Sequence, residues 1–132
     1  MRKWIDIALR IVLSLILLLP VIGVLGIFPP PTADLYNTPE AFAFIETLED
    51  IRYISIIMAI VHVVALACLW LGRVALAALL ILPITVNVVA FHLFLDGGLL
   101  KAGSVPADVM LAINVYLLWQ QRRRYTLLLE RA

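Results

Sequence analysis

The chain has 132 residues, 64% of them hydrophobic and 14% charged, with a mean hydropathy of +1.09, whereas an ordinary soluble domain is about half apolar and a quarter charged. A water-soluble fold of this size has no interior large enough for that much apolar surface, so a soluble domain is excluded and a single bilayer-embedded domain over residues 1–132 is expected. A net charge of +1 supplies no basic field for nucleic acid, and the lone Cys68 excludes an intrachain disulfide, a CxxC redox pair and any thiolate cluster.

Met1-Arg2-Lys3 and the apolar run behind it resemble a secretory signal. Asp6 and Arg10 interrupt that run, however, and no A-x-A cleavage site follows, so a first membrane span over about 4–28 is expected instead. Pro20 lies inside it, and Pro29-Pro30-Pro31 stops it. Thr38-Pro39-Glu40 carries the N-cap, first-turn proline and early acid of a helix start. Phe42, Ile45 and Leu48 share one face of that helix while Glu46, Glu49 and Asp50 fall elsewhere, as in an amphipathic helix lying at the membrane surface or leading into the next span.

The second span is expected over about 52–71 and the third over about 74–95, with Gly72-Arg73 a turn so short that the two form an antiparallel hairpin. Pro83 lies near the middle of the third span, and Asp96-Gly97-Gly98 ends it. Ser104, as an N-cap with Pro106 close behind, opens a fourth span over about 104–121, the shortest, which exits through Gln120-Gln121-Arg122-Arg123-Arg124. The fold class read from this order is an all-α integral membrane four-helix bundle with a short extracytoplasmic amphipathic helix before the second span.

Positive residues are retained on the cytoplasmic side of a membrane. Arg2, Lys3, Arg73, Arg122, Arg123, Arg124 and Arg131 fall on one side, Arg52 and Lys101 on the other, which makes both termini cytoplasmic. Trp4, Trp70, Trp119 and Tyr125 gather near the same boundary, as an interfacial aromatic belt requires.

Chemistry in such a chain belongs to polar groups at membrane depth, because a central charge costs about 2.5–3.5 kcal/mol on insertion scales and asks for a partner or a purpose. Asp6 and Arg10 stand at the i,i+4 spacing of a local ion pair, with a ligand at the inner surface as the alternative reading. His62, Asn87 and Asn114 reach similar estimated depths on the second, third and fourth spans, and with His92 they define a candidate polar pocket. The plainer reading of that cluster is that its members hydrogen-bond one another, or carbonyls freed near Pro83, and only tie helices together. His62 and His92 differ in depth by about seven residues, or roughly 10 Å, a poor axial pair for haem. Neither a metal-ligand set, a phosphate loop nor a nucleophile elbow is present.

The stretch Pro83-Ile84-Thr85-Val86-Asn87, then Phe91-His92-Leu93-Phe94-Leu95, a Gly-containing turn and Asn114-Val115-Tyr116-Leu117-Leu118-Trp119 with a basic tail, resembles the DoxX-like small bacterial membrane proteins (DoxX/DoxD relatives). The resemblance implies a compact four-helix bundle in the bacterial cytoplasmic membrane. Some relatives are associated with a thiosulfate:quinone oxidoreductase, which makes quinone the cofactor to consider. Its motifs reach only Pro83, Asn87, Phe91 and His92, and His62 stands where many relatives carry a carboxylate. With no cysteine pair for sulfur chemistry, the expectation is a membrane subunit or accessory in quinone-linked redox or envelope physiology. The alternatives are a non-catalytic scaffold, as a homo-oligomer or within a membrane complex, and a small-solute or proton pathway.

Overall fold

The computed structural model describes residues 2–129. Arg131, counted above among the basic residues of one side, lies outside the described residues, as does Met1. Among the described residues the structure is wholly helical: α1 (Arg2–Val24), α2 (Pro39–Ile51), α3 (Tyr53–Trp70), α4 (Val74–Phe94) and α5 (Val105–Leu129), with single 3₁₀ turns at Ala33–Leu35 and Ala102–Ser104. Four segments, Lys3–Val24, Tyr53–Trp70, Val74–Phe94 and Ala102–Leu128, are long and apolar enough to cross a bilayer. The protein is therefore an all-α membrane bundle.

The ends of these helices follow from a few residues. α1 stops at Val24, four residues before the expected end at Phe28, because Gly26 takes a φ of 72° and closes a Schellman cap, with Gly26 N–H on the Gly23 carbonyl and Ile27 N–H on that of Ile22. Gly72, at φ 79°, ends α3 in the same way, and Arg73 N–H reaches back to Cys68. The Thr38 hydroxyl caps α2 by accepting the Ala41 N–H at 3.1 Å, as the Thr-Pro-Glu pattern predicts. α2 turns Ala41, Phe42, Ile45 and Leu48 inward and Glu46, Glu49 and Asp50 outward.

Only Arg52 separates α2 from α3, and it does so at a φ of 55°, a conformation that costs a non-glycine residue about 1–2 kcal/mol. The fourth span corrects the expectation most. It is the longest helix at 25 residues, because Gln120 to Arg124 continue it as good helix formers rather than ending it. At 1.5 Å per residue, α5 is roughly 37 Å long and outreaches the hydrocarbon core.

The helices run alternately up and down, and α3 packs on both α1 and α4 while α4 packs on α5. The α1–α5 seam that closes the ring is the most sparsely packed of the four. Leu13, Leu17, Leu69, Ile81, Ile113 and Leu117 fill the core, and Ala65, Cys68, Ala77 and Ala78 let the backbones approach closely. Most of each span faces outward, to lipid or to another protein. Both described ends of the chain and the Gly72 turn lie at one end of the bundle, called here the terminal end; α2 lies at the other.

Candidate functional site

The polar residues divide into three places. At the terminal end, Asp6 and Arg10 do not form the expected ion pair. Asp6 reaches across to α5, accepting hydrogen bonds from Tyr116 Oη at 2.9 Å and Gln120 Nε2 at 3.2 Å. Arg10 turns to α3, with Nη1 3.4 Å from the Leu69 carbonyl and Nε buried and unpaired. Beside it Trp70 Nε1 donates to Ser14 Oγ at 3.0 Å, and Ser14 donates to the Arg10 carbonyl at 2.7 Å. Arg10 thus reaches the level of Leu69, and segment 2–9, rising roughly 12 Å beyond it, projects past the Gly72 turn by about 7 Å. The i,i+4 spacing is real, but two other helices offer each side chain a better partner.

In the middle of the bundle, His62, Asn87 and Asn114 do not converge. Asn114 is fully buried and donates from Nδ2 to the Ala78 carbonyl at 3.0 Å, in the second turn of α4, while its Oδ1 has no partner. His62 is only 2% exposed, and neither ring nitrogen makes a hydrogen bond. The Leu17 carbonyl of α1 approaches the ring without completing one. Asn87 is exposed and donates to its own helix, to the Pro83 carbonyl at 2.9 Å. The position of α4 that enters the core is Thr85, whose hydroxyl donates to the Ile81 carbonyl; Asn87, two residues on and about 200° further round, has to face outward.

At the α2 end a network appears that the sequence did not single out. Asp96 is 1% exposed; it accepts the Asn37 N–H on Oδ1 at 2.7 Å and lies 2.9 Å from His92 Nδ1 on Oδ2. The Thr38 hydroxyl, while capping α2, also donates to the Leu95 carbonyl. These bonds fasten the start of α2 to the end of α4. Burial acts to raise the Asp96 carboxyl, but the Asn37 N–H and His92 outweigh it and hold the group below the usual carboxylate range. Nearby, burial and then the Asp96 and Glu49 carboxylates push the Tyr36 phenol up. Buried Ser104 closes the next turn, its hydroxyl directed at the Leu99 and Lys101 carbonyls and the Asp108 carboxylate.

His92 is therefore part of an anchor rather than of a midplane pocket, and it is separate from His62, Asn87 and Asn114. The polar contacts that sequence reasoning passed over are those of Asn37, Asp96, Tyr116 and Gln120. The His92–Asp96 spacing of four residues was the one available signal among them. Among the described residues no three His, Cys, Asp or Glu side chains converge as metal ligands. Comparison with family models finds no match, and neither do comparisons with curated proteins and solved structures.

Proposed function

We propose that this chain is a small bacterial inner-membrane protein of the DoxX-like type, with both termini cytoplasmic, that serves as a membrane subunit or accessory by associating with a partner through the outer face of α4. The observation that carries this reading is Asn87. It lies close to the middle of α4, on an exposed stripe with Pro83, Val86 and Phe94, and it is the strongly polar side chain that the bundle leaves uncovered at membrane depth. One amide hydrogen and the Pro83 carbonyl account for a single bond; the other hydrogen and the oxygen are free to pair across an interface, and a carboxamide can do so with its own copy. Orientation rests on the basic residues at the terminal end, Lys3, Arg73 and Arg122 to Arg124.

The lone cysteine makes the test clean. In a Cys68→Ala background, Val86→Cys should crosslink to a second copy or to a fixed neighbour in native membranes, and Asn87→Leu should abolish the crosslink. A crosslink indifferent to Asn87→Leu counts against the proposal.

A second reading, quinone-linked redox accessory, is favoured by the two ring nitrogens of His62 that make no hydrogen bond: the N–H can donate to a quinone carbonyl, and the bare nitrogen can accept from a quinol hydroxyl. It predicts quinone that copurifies with the protein and is lost on His62→Ala. The small-solute or proton pathway would need a continuous polar lining, and the apolar run Leu15 to Leu19 opposes it.

A further inference from the structure

A cleft lies at the α2 end, between the end of α1, α2 and the start of α3. It is open on one side, has a volume of about 690 Å³, and its polar wall is made by Tyr36, Glu49, Arg52 and Ser55. Val24 and Ile56 belong both to this cleft and to a purely apolar groove of about 270 Å³ that continues down α3 past Ala59, Ile60, Val63 and Val64. A polar mouth thus opens into an apolar channel running along the bilayer-facing surface of α3. The mouth holds both signs of charge. Glu49 and Arg52 stand three residues apart on adjoining helices, yet neither is within ion-pair distance of the other or of any other charged group among the described residues. Two opposite charges at the head of an apolar groove, each free, complement an amphiphile that is itself zwitterionic. Arg52 is held there in a conformation that arginine disfavours, and φ-strained positions gather at binding sites.

We propose that this cleft binds one zwitterionic phospholipid of the leaflet at the α2 end, with its phosphate on the Arg52 guanidinium, its ammonium on Glu49 and one acyl chain in the groove along Ile60 and Val63. Guanidinium suits phosphate because its donors form a planar fork that matches two oxygens at once. The site is independent of the Asn87 face, which lies on another helix, so either can fail without the other.

The experiment uses the full chain in mild detergent micelles with added phosphatidylethanolamine or phosphatidylglycerol, counting retained lipid by native mass spectrometry. A single phosphatidylethanolamine should be retained per chain, about tenfold in preference to phosphatidylglycerol. Arg52→Gly removes the guanidinium while fitting the positive φ without a Cβ penalty, so it should leave the thermal melt intact and lower retention about tenfold. Arg52→Lys should retain most of the binding, Glu49→Gln should erase the preference between the two lipids, and Ile60→Trp should block the groove for both. Equal retention by the wild type and Arg52→Gly, or no preference between the lipids in the wild type, overturns the proposal and leaves ordinary annular lipid.

Discussion

The two ends of the bundle each use one carboxylate to join distant parts of the chain, and they do it differently. At the α2 end Asp96 is sealed from solvent, and a backbone N–H and an imidazole satisfy it. At the terminal end Asp6 is half-buried, and the flexible side chains of Tyr116 and Gln120 hold it. Removing a partner from a dry site strands the groups that remain, whereas at a wet site water replaces them. The α2 end should therefore be brittle and pH-sensitive, and the terminal end tolerant.

Asp96→Ala should be the most damaging single change, costing about 3 kcal/mol, because the Asn37 N–H loses its charged acceptor in a buried setting. Thermal unfolding in detergent measures it, and a loss no larger than that of a surface substitution would refute the contrast. The pH dependence has a definite sign. The folded carboxyl titrates below its unfolded value of about 4, so its contribution is complete above that pH and is lost as pH falls through the folded value. Acid should release the segment Asn37–Thr38 from α4 before the core melts, read as hydrogen exchange or proteolysis near Asn37. Asp96→Asn should flatten that dependence.

His62→Leu tests the middle of the bundle, where a buried polar ring completes no hydrogen bond and has only the approach of the Leu17 carbonyl. An unsatisfied buried group costs about 1–3 kcal/mol, so the substitution should raise stability rather than lower it. A lower melting temperature would mean that the ring nitrogens have found a partner, such as the quinone of the second reading.

The parts that were legible in the sequence are those with a local cause. The Thr-Pro-Glu start and amphipathic face of α2 and the Gly72 turn rest on residues a few positions apart. What was not legible depends on rotation or on contacts distant in sequence. α4 is apolar on every side, so no periodicity distinguishes the face of Thr85 from that of Asn87, and the estimated common depth also fails, since Asn114 bonds to Ala78, about 13 Å along α4 from Asn87. Asp6 and Arg10 satisfy a local pairing rule, but their partners lie 110 and 59 residues away. The positive φ of Arg52, in the wall of the cleft, is a backbone angle that no residue pattern announces, since arginine is not a residue chosen for positive φ.

Smaller effects sharpen the comparison. Asn114→Leu removes the Ala78 bond and also an unpaired oxygen, so the two contributions oppose each other and the net loss should be only about 0.6 kcal/mol. Asp6→Asn should cost still less, because an amide oxygen can accept from the same Tyr116 hydroxyl and the site is wet enough that the lost charge is mostly screened. The seam there is already the loosest in the ring, so any weakening should show as faster hydrogen exchange confined to the first turns of α1 while the melting temperature stays put. If Asp6→Asn instead lowered the melting temperature as much as Asp96→Ala, the terminal end would be as dry and as cooperative as the other. The contrast between a sealed anchor and a tolerant seam would then be lost.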